Sequence, residues 1–231
     1  WLLYLDRRRK QRQVRAAPGN VAIANTAGDG WLVGFASQSG FAEQLAWQTA
    51  AQLQAAGLAV QVRALGTLKE EDLRQARRAV FVVSTFGDGE APDSARGFER
   101  NVLGKALALN HLNYALLALG DRQYPHFCGF ARRLQGWLGE RGATCAFSPV
   151  EVDSADPAAL QQWQLALIRL TGAEPVTAWQ PPSFGSWSLV SRTLLNPGSL
   201  GQPVYLLGWQ PQGPATWEAG DLVEILPLNG P

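Results

Sequence analysis

The sequence contains no methionine, only two cysteines and only two histidines in 231 residues. Cys128 and Cys145 cannot build a disulfide framework, and no CxxC or His-rich spacing is present to hold a metal. No metal ligand is therefore assigned, and the two thiols read as reduced, small apolar residues of a cytosolic compartment. A continuous apolar run of about 20 residues, the length a membrane helix needs, is also missing. So is a complete signal peptide, because the charges follow the apolar stretch at Trp1–Leu5 instead of preceding it. Neither GxGxxG nor a P-loop lysine occurs. A dinucleotide site of the Rossmann type and a nucleoside triphosphate site are both disfavoured.

What is present supports a packed core. Hydrophobic residues make up 46% and charged residues 17%, which excludes wholesale disorder. At roughly 100–200 residues per domain, the length allows one large domain, or one domain and a piece of another. A first residue of Trp1 reads as a fragment of something longer. The net charge of +1 hides an asymmetry. Residues 1–15 carry Asp6 against six basic side chains, a net +5, which leaves −4 for the remainder. A basic tail on a mildly acidic body speaks against a nucleic-acid partner and points to a membrane edge or a flexible arm. Trp1, Leu2, Leu3, Tyr4 and Leu5 followed by the basic run match the way a membrane helix leaves into the cytoplasm. The expectation is a membrane anchor upstream and a place at the cytoplasmic face of the inner membrane; the alternative is a solvated arm in the cytoplasm. Residues 16–30 read as a linker.

From residue 31 the pattern becomes that of an α/β domain. WLVGFA (31–36) is a short apolar run. It precedes a helix on which Leu45, Thr49, Leu53 and Ala56 share a face, ended by Gly57. Val60, Val62 and Ala64 alternate with polar residues as a half-exposed strand. A charged helix (68–78) leads to AVFVVS (79–84), the kind of run that is buried on both faces. A helix near 95–107, a buried strand YALLALG (114–120) and a helix with Leu134, Trp137 and Leu138 inward follow. A strand near 143–150 precedes a last helix with Leu160, Trp163, Leu167 and Leu170 inward. Five strands alternating with five helices predict a doubly wound parallel sheet. In such sheets ligands bind beyond the carboxyl ends of the strands.

Three loops at those ends have unusual composition. The first, Ser37-Gln38-Ser39-Gly40-Phe41-Ala42, joins a strand to a helix N-terminus, where backbone N–H groups and the helix dipole favour an anion. Without a basic side chain it suits a single phosphate; read alone, it is equally an ordinary serine-capped helix. The second, Ser84-Thr85-Phe86-Gly87-Asp88-Gly89-Glu90-Ala91-Pro92-Asp93, has two glycines that permit rearrangement and a ring at the strand end able to stack on a planar ligand; read alone, it is also a turn with a core aromatic. The third runs from Gly120 and Asp121 through Gln123 and Tyr124 to His126, Phe127 and Cys128. It offers a second aromatic face; His126 reads as a structural loop residue and Cys128 as packing. A phosphate cradle and two aromatic loops at one sheet edge suit a flat, monophosphorylated ring such as flavin mononucleotide (FMN).

On ASQSGFAEQLA (36–46), STFGDGEAPDSA (84–95) and ALGDRQYPHF (118–127), the sequence resembles the flavodoxin-like FMN domain of the diflavin reductases, which include NADPH–hemoprotein reductases and the sulfite reductase flavoprotein subunit. The resemblance implies a flavodoxin-like fold in which Ser37 to Ala42 wrap the phosphate. It implies that Phe86 and Tyr124 flank the isoalloxazine and that the Gly87 peptide addresses flavin N5. Ser84 and Thr85 belong to the same motif, Leu119 to Cys128 would complete the ring pocket, and Asp153 would lie near it. Two positions depart from the family: Phe41 stands where Thr or Asn is usual, and Phe86 where Tyr is more common.

Residues 173–185 are proline-rich and read as a hinge. LLNPGS, then Trp217, Ala219, Gly220 and Asp221, then Pro227 and Asn229, are similar to the opening of the family's antiparallel FAD-binding β-barrel. The predicted organisation is a stub and linker at 1–30, the FMN domain at 31–172, the hinge, and the start of a barrel at 186–231. The implied activity is electron relay from NADPH through FAD to FMN, then singly to an acceptor such as a hemoprotein or sulfite reductase. FAD and NADPH would sit on a further module of the same polypeptide. No side chain need act as acid or base, so no catalytic residue is assigned. The rival readings are a stand-alone flavodoxin-like carrier and an interaction domain that keeps the fold without FMN.

Overall fold

The computed structural model describes residues 2–6, 30–172, 185–216 and 222–226. The basic run, most of the linker, most of the hinge, and Trp217, Ala219, Gly220, Asp221, Pro227 and Asn229 lie outside the described residues. The chain divides into two compact units, one within residues 22–179 and the other drawn from 1–21 and 180–231. In chain order the first elements are β1 (Leu2–Asp6), β2 (Trp31–Ala36), α1 (Phe41–Ala55), β3 (Val60–Ala64), α2 (Glu70–Gln75) and β4 (Arg78–Ser84). Then come α3 (Arg96–Phe98), β5 (Asn113–Gly120), α4 (Gly129–Glu140), β6 (Thr144–Cys145), β7 (Val150–Asp153) and α5 (Pro157–Thr171). The last are β8 (Gly185–Leu194), β9 (Tyr205–Pro211) and β10 (Leu222–Leu226).

In the larger unit the sheet runs β3-β2-β4-β5, with β6 and β7 both on the outer side of β5, and every pairing is parallel. The single strand expected near 143–150 is split in two. Thr144–Cys145 pairs with the start of β5, and Val150–Asp153 with its end. The Ala146 N–H still bonds the Tyr114 carbonyl at 2.7 Å. Pro149, just before β7, has no N–H to continue the ladder. The two halves fill one position, so the sheet is a five-stranded flavodoxin-like one.

The apolar runs of β2, β4 and β5 are buried because each feeds two cores. Val33, Phe35, Val80, Val82, Leu117 and Leu119 pack under α1 and α5, while Leu32, Phe81, Val83, Leu116 and Ala118 pack under α4 and the α3 region. Alternation across the strands sends neighbours to opposite faces. The Trp163 indole N–H donates to Thr49 Oγ1 at 3.3 Å and ties α5 to α1. Asp156 caps α5 by accepting from the N–H groups of Ala158 and Ala159. Leu170, expected inward, is exposed in the last turn. The helix expected over 68–78 is confined to Glu70–Gln75. The one expected at 95–107 is a 3-10 turn at Asp93–Ala95, then α3, then a π turn at Glu99–Leu103.

The second unit contains an antiparallel sheet in the order β10-β1-β8-β9, consistent with the opening of a β-barrel. Leu2–Asp6 pairs along its whole length with Leu222–Leu226, and Leu2 and Leu3 also pair with Ser186 and Gly185. The backbone of Leu2–Asp6, within the stretch that the sequence analysis reads as a membrane exit, is thus a strand in a sheet. No helix among the described residues is long and apolar enough to cross a membrane. Val190, Leu195, Val204 and Leu206 of the β8–β9 hairpin are exposed.

Candidate functional site

The carboxyl ends of β2, β4, β5 and β7 lie along one edge of the parallel sheet. The loops leaving them hold the residues that the sequence analysis singles out. Ser37–Gly40 turns from β2 into α1, with Gly40 at a left-handed φ of 94° as the N-cap, a conformation that favours glycine. Ser37 Oγ accepts from the Gly40 N–H at 2.7 Å. Gln38 Oε1 accepts from the Asp93 N–H at 3.2 Å, and Ser39 is exposed. The amides of Phe41, Ala42 and Glu43 stand in the first turn, where a helix supplies no carbonyl to N–H groups. The Phe41 ring is partly buried against the core beneath α1 and α5. Phe41 thus offers no side-chain hydroxyl or amide at the turn, and the backbone cradle stays in place.

The second loop is tied to both neighbours. The Ser84 hydroxyl donates to the Ala36 carbonyl at 3.0 Å, and the Thr85 N–H to the Leu119 carbonyl at 2.9 Å. Phe86 and Glu90 exchange backbone hydrogen bonds of 2.9 and 2.8 Å, closing a hairpin with Gly87, Asp88 and Gly89 at its tip. Phe86 is 47% exposed. The Thr85 hydroxyl is buried without a hydrogen-bond partner, which costs free energy unless a ligand atom meets it.

In the third loop the Asp121 carboxylate accepts from the Gln123 N–H at 2.8 Å, and its carbonyl from the Tyr124 N–H at 3.2 Å. This turn leaves Tyr124 51% exposed. His126 is exposed, whereas Phe127 and Cys128 are buried in the core beneath the loop. These two form the floor under the loop rather than its open face. Cys128 has a positive φ of 53°. Its thiol donates to the Ala118 carbonyl at 3.5 Å. Burial, assisted by the Glu151 carboxylate, pushes that thiol up from 9.0 to about 12.

Asp153 closes the edge. One carboxylate oxygen accepts from the Arg122 N–H at 3.0 Å and the Ser154 hydroxyl at 3.2 Å, while the other faces Arg122 Nε at 3.6 Å. The Arg122 guanidinium lies 4.2 Å from the centre of the Phe127 ring. Ser94 was not singled out from the sequence, although it stands within the second motif. Its hydroxyl accepts from the Ser37 N–H and donates to the Ser37 carbonyl, both at 2.9 Å, bracing the first loop from the far side of the second.

The arrangement offers free helix-end amides without a basic side chain, two exposed rings on adjacent loops, and one orphaned hydroxyl. These residues fit a flat ring carrying one phosphate.

A family model described as "Flavodoxin" matches residues 33–165. The sulfite reductase [NADPH] flavoprotein alpha-component of Photobacterium profundum is 32% identical over 149 residues, 64% of this chain and 24% of that protein. The protein of the same name from Vibrio cholerae is 35% identical over 150 residues, 62% of this chain and 24% of that protein. The chain thus spans about a quarter of the length of these curated relatives. Among solved structures, a Streptococcus pneumoniae flavodoxin superposes with a TM-score of 0.55 at 29% identity, covering 62% of this chain and 97% of that one. Oxidised flavodoxin 2 from Bacillus cereus superposes with a TM-score of 0.52 at 25% identity, covering 61% and 99%.

Proposed function

Since the chain belongs to the flavodoxin family, we propose that its larger unit binds FMN at the loop edge and serves as the electron-transfer module of an NADPH-dependent diflavin reductase. The observation that carries this reading is the joint placement of the α1 amide cradle, exposed Phe86 and Tyr124, and the orphaned Thr85 hydroxyl at one sheet edge. Ser37 to Ala42 would hold the phosphate through backbone N–H groups and hydroxyls. Phe86 and Tyr124 would flank the ring, with Ser84, Thr85, the Leu119–Gly120–Asp121 backbone, Gln123 and His126 around its rim. Phe127, Cys128 and Asp153 act through the loop they support. The Gly87 peptide, at the hairpin tip, would address ring N5. When bound, FMN supplies one-electron chemistry. Exposed Asp88, Glu90 and Asp93 place negative charge around the edge, which would disfavour extra negative charge on the reduced ring and would steer a basic acceptor.

FAD and NADPH would be held by other parts of a longer polypeptide, opening with the β8–β10 region. The names of the curated relatives, which print NADPH, a flavoprotein and sulfite reductase, support the NADPH part of that assignment; the acceptor would be a hemoprotein or a sulfite reductase component. A place at the inner membrane rests on the charge pattern of residues 1–15 alone, and the strand pairing of Leu2–Asp6 weighs against it. A stand-alone carrier is favoured by the nearly full coverage of the solved flavodoxins. The antiparallel sheet outside the flavodoxin unit counts against it. Calorimetric titration of the flavin-free chain with FMN, riboflavin and FAD tests the site. FMN should bind one to one, and riboflavin at least about ten-fold more weakly for lack of the phosphate contacts. No FMN binding would sink the proposal.

A further inference from the structure

The second loop is pinned at a point that neither the motifs nor the proposed ligand contacts account for. Arg133, one turn into α4, donates through Nη1 to the Gly89 carbonyl at 2.6 Å. Its Nη2 donates to Glu99 Oε1 at 3.0 Å, which fixes the guanidinium from the opposite side. The charge-assisted bond to Gly89 is short, and it falls on a buried residue. The same residue is boxed in sterically. A Cβ on Gly89 would lie 2.7 Å from the His126 Cβ, and one on Gly129 would lie 2.8 Å from the Gly89 Cα. On the other side of the tip, Phe86 and Glu90 close the hairpin through two backbone bonds. Between these anchors only Gly87 and Asp88 stand clear: Gly87 is at φ 51°, and Asp88 is exposed.

We propose that Arg133 is a positioning residue for the flavin site: by holding the Gly89 carbonyl it confines backbone rearrangement of the second loop to the peptides around Gly87 and Asp88. A peptide that must turn toward a ligand atom needs a fixed point to turn against. Arg133 and the Gly89–Gly129 contact provide it, and Glu99 keeps Arg133 in place. The neighbouring Arg132 differs although it carries the same charge on the same helix. Its guanidinium donates to Glu151 at 2.9 and 3.1 Å instead of to the loop. It is therefore the matched control for loss of charge.

The inference rests on the FMN reading, so its test has one arm with flavin and one without. In the flavin-free full chain, amide hydrogen exchange at Phe86 and Glu90 should speed up at least about ten-fold in Arg133→Ala, the scale of losing one charge-assisted hydrogen bond. Exchange at Val82 and Leu117 should stay unchanged. Arg132→Ala should leave all four unchanged, and Arg133→Lys, which keeps the charge on a single donor nitrogen without the guanidinium fork, should restore part of the protection. In the FMN-loaded chain, Arg133→Ala should alter the separation between the two one-electron potentials while Arg132→Ala does not. Unchanged exchange at Phe86 and Glu90 in Arg133→Ala overturns the inference whether or not FMN binds. Equal shifts of the potentials in Arg133→Ala and Arg132→Ala overturn it too, by reducing the effect to charge. Loss of FMN binding in the unaltered chain instead defeats the FMN reading and leaves the exchange result standing.

Discussion

Ser94 shows how much of the site rests on single hydroxyls. Its Oγ satisfies both backbone groups of Ser37, so Ser94→Ala leaves a partly buried N–H and C=O without their partner. The expected outcome is a loss of about 1 kcal/mol of stability in urea titration and an FMN affinity weakened by roughly ten-fold. Cys128 yields a prediction with pH. Its thiol is raised from 9.0 to about 12 in the folded chain, so above pH 9 the unfolded chain releases a proton that the folded chain keeps. That contribution to stability is complete below pH 9 and is lost as the pH climbs toward 12. Cys145 and Tyr114, both raised by burial, act in the same direction. The melting temperature should therefore fall between pH 8 and pH 10.5, and fall less steeply in Cys128→Ser; a slope unchanged by the substitution would contradict the account. At this scale the placement of Ser37 to Ala42, Phe86 and Tyr124 on loops at one sheet edge was legible, because a strand running into a helix N-terminus and aromatics in glycine-bearing loops leave local signals. The sequence marked Cys128 as packing, which its burial matches, but it did not disclose that Phe127 faces inward, nor the Ser94–Ser37 and Arg122–Asp153 pairs. Their partners are 57 and 31 residues apart, and no periodicity marks such a distance.

Among the elements, the parallel strands were legible because runs buried on both faces are continuous and apolar. The irregular ones were not. The break between β6 and β7 turns on a proline and two strand ends, and the α3 region mixes three kinds of turn, which blurs the helical period. The contact of α4 with the second loop was equally hidden, since it depends on two glycines 40 residues apart in sequence meeting back to back. Gly129→Ala tests that contact. The new Cβ would sit 2.8 Å from the Gly89 Cα and 3.0 Å from its carbonyl oxygen, and the overpacking should cost about 1–3 kcal/mol. Urea unfolding should register the loss, with FMN binding weakened in parallel. An unaltered midpoint would mean that α4 and the loop separate freely.

For the whole molecule, the division into two units makes a prediction of its own. Residues 22–179 contain both faces of a complete parallel sheet and its two cores. The β8–β9 hairpin, in contrast, exposes Val190, Leu195, Val204 and Leu206. Calorimetry should find cooperative unfolding for a fragment of residues 22–179 and none for residues 180–231 alone, because open strand edges and bare apolar faces do not sustain an isolated sheet. A sharp transition in the short fragment would contradict this. The central claim, that the loop edge is built for one-electron relay on FMN, is tested most directly by a spectroelectrochemical titration of the FMN-loaded chain. The account predicts two resolved one-electron steps, with a long-wavelength absorbance that rises at half reduction and then disappears. A single two-electron step, or a chain that takes up no FMN to titrate, would contradict it.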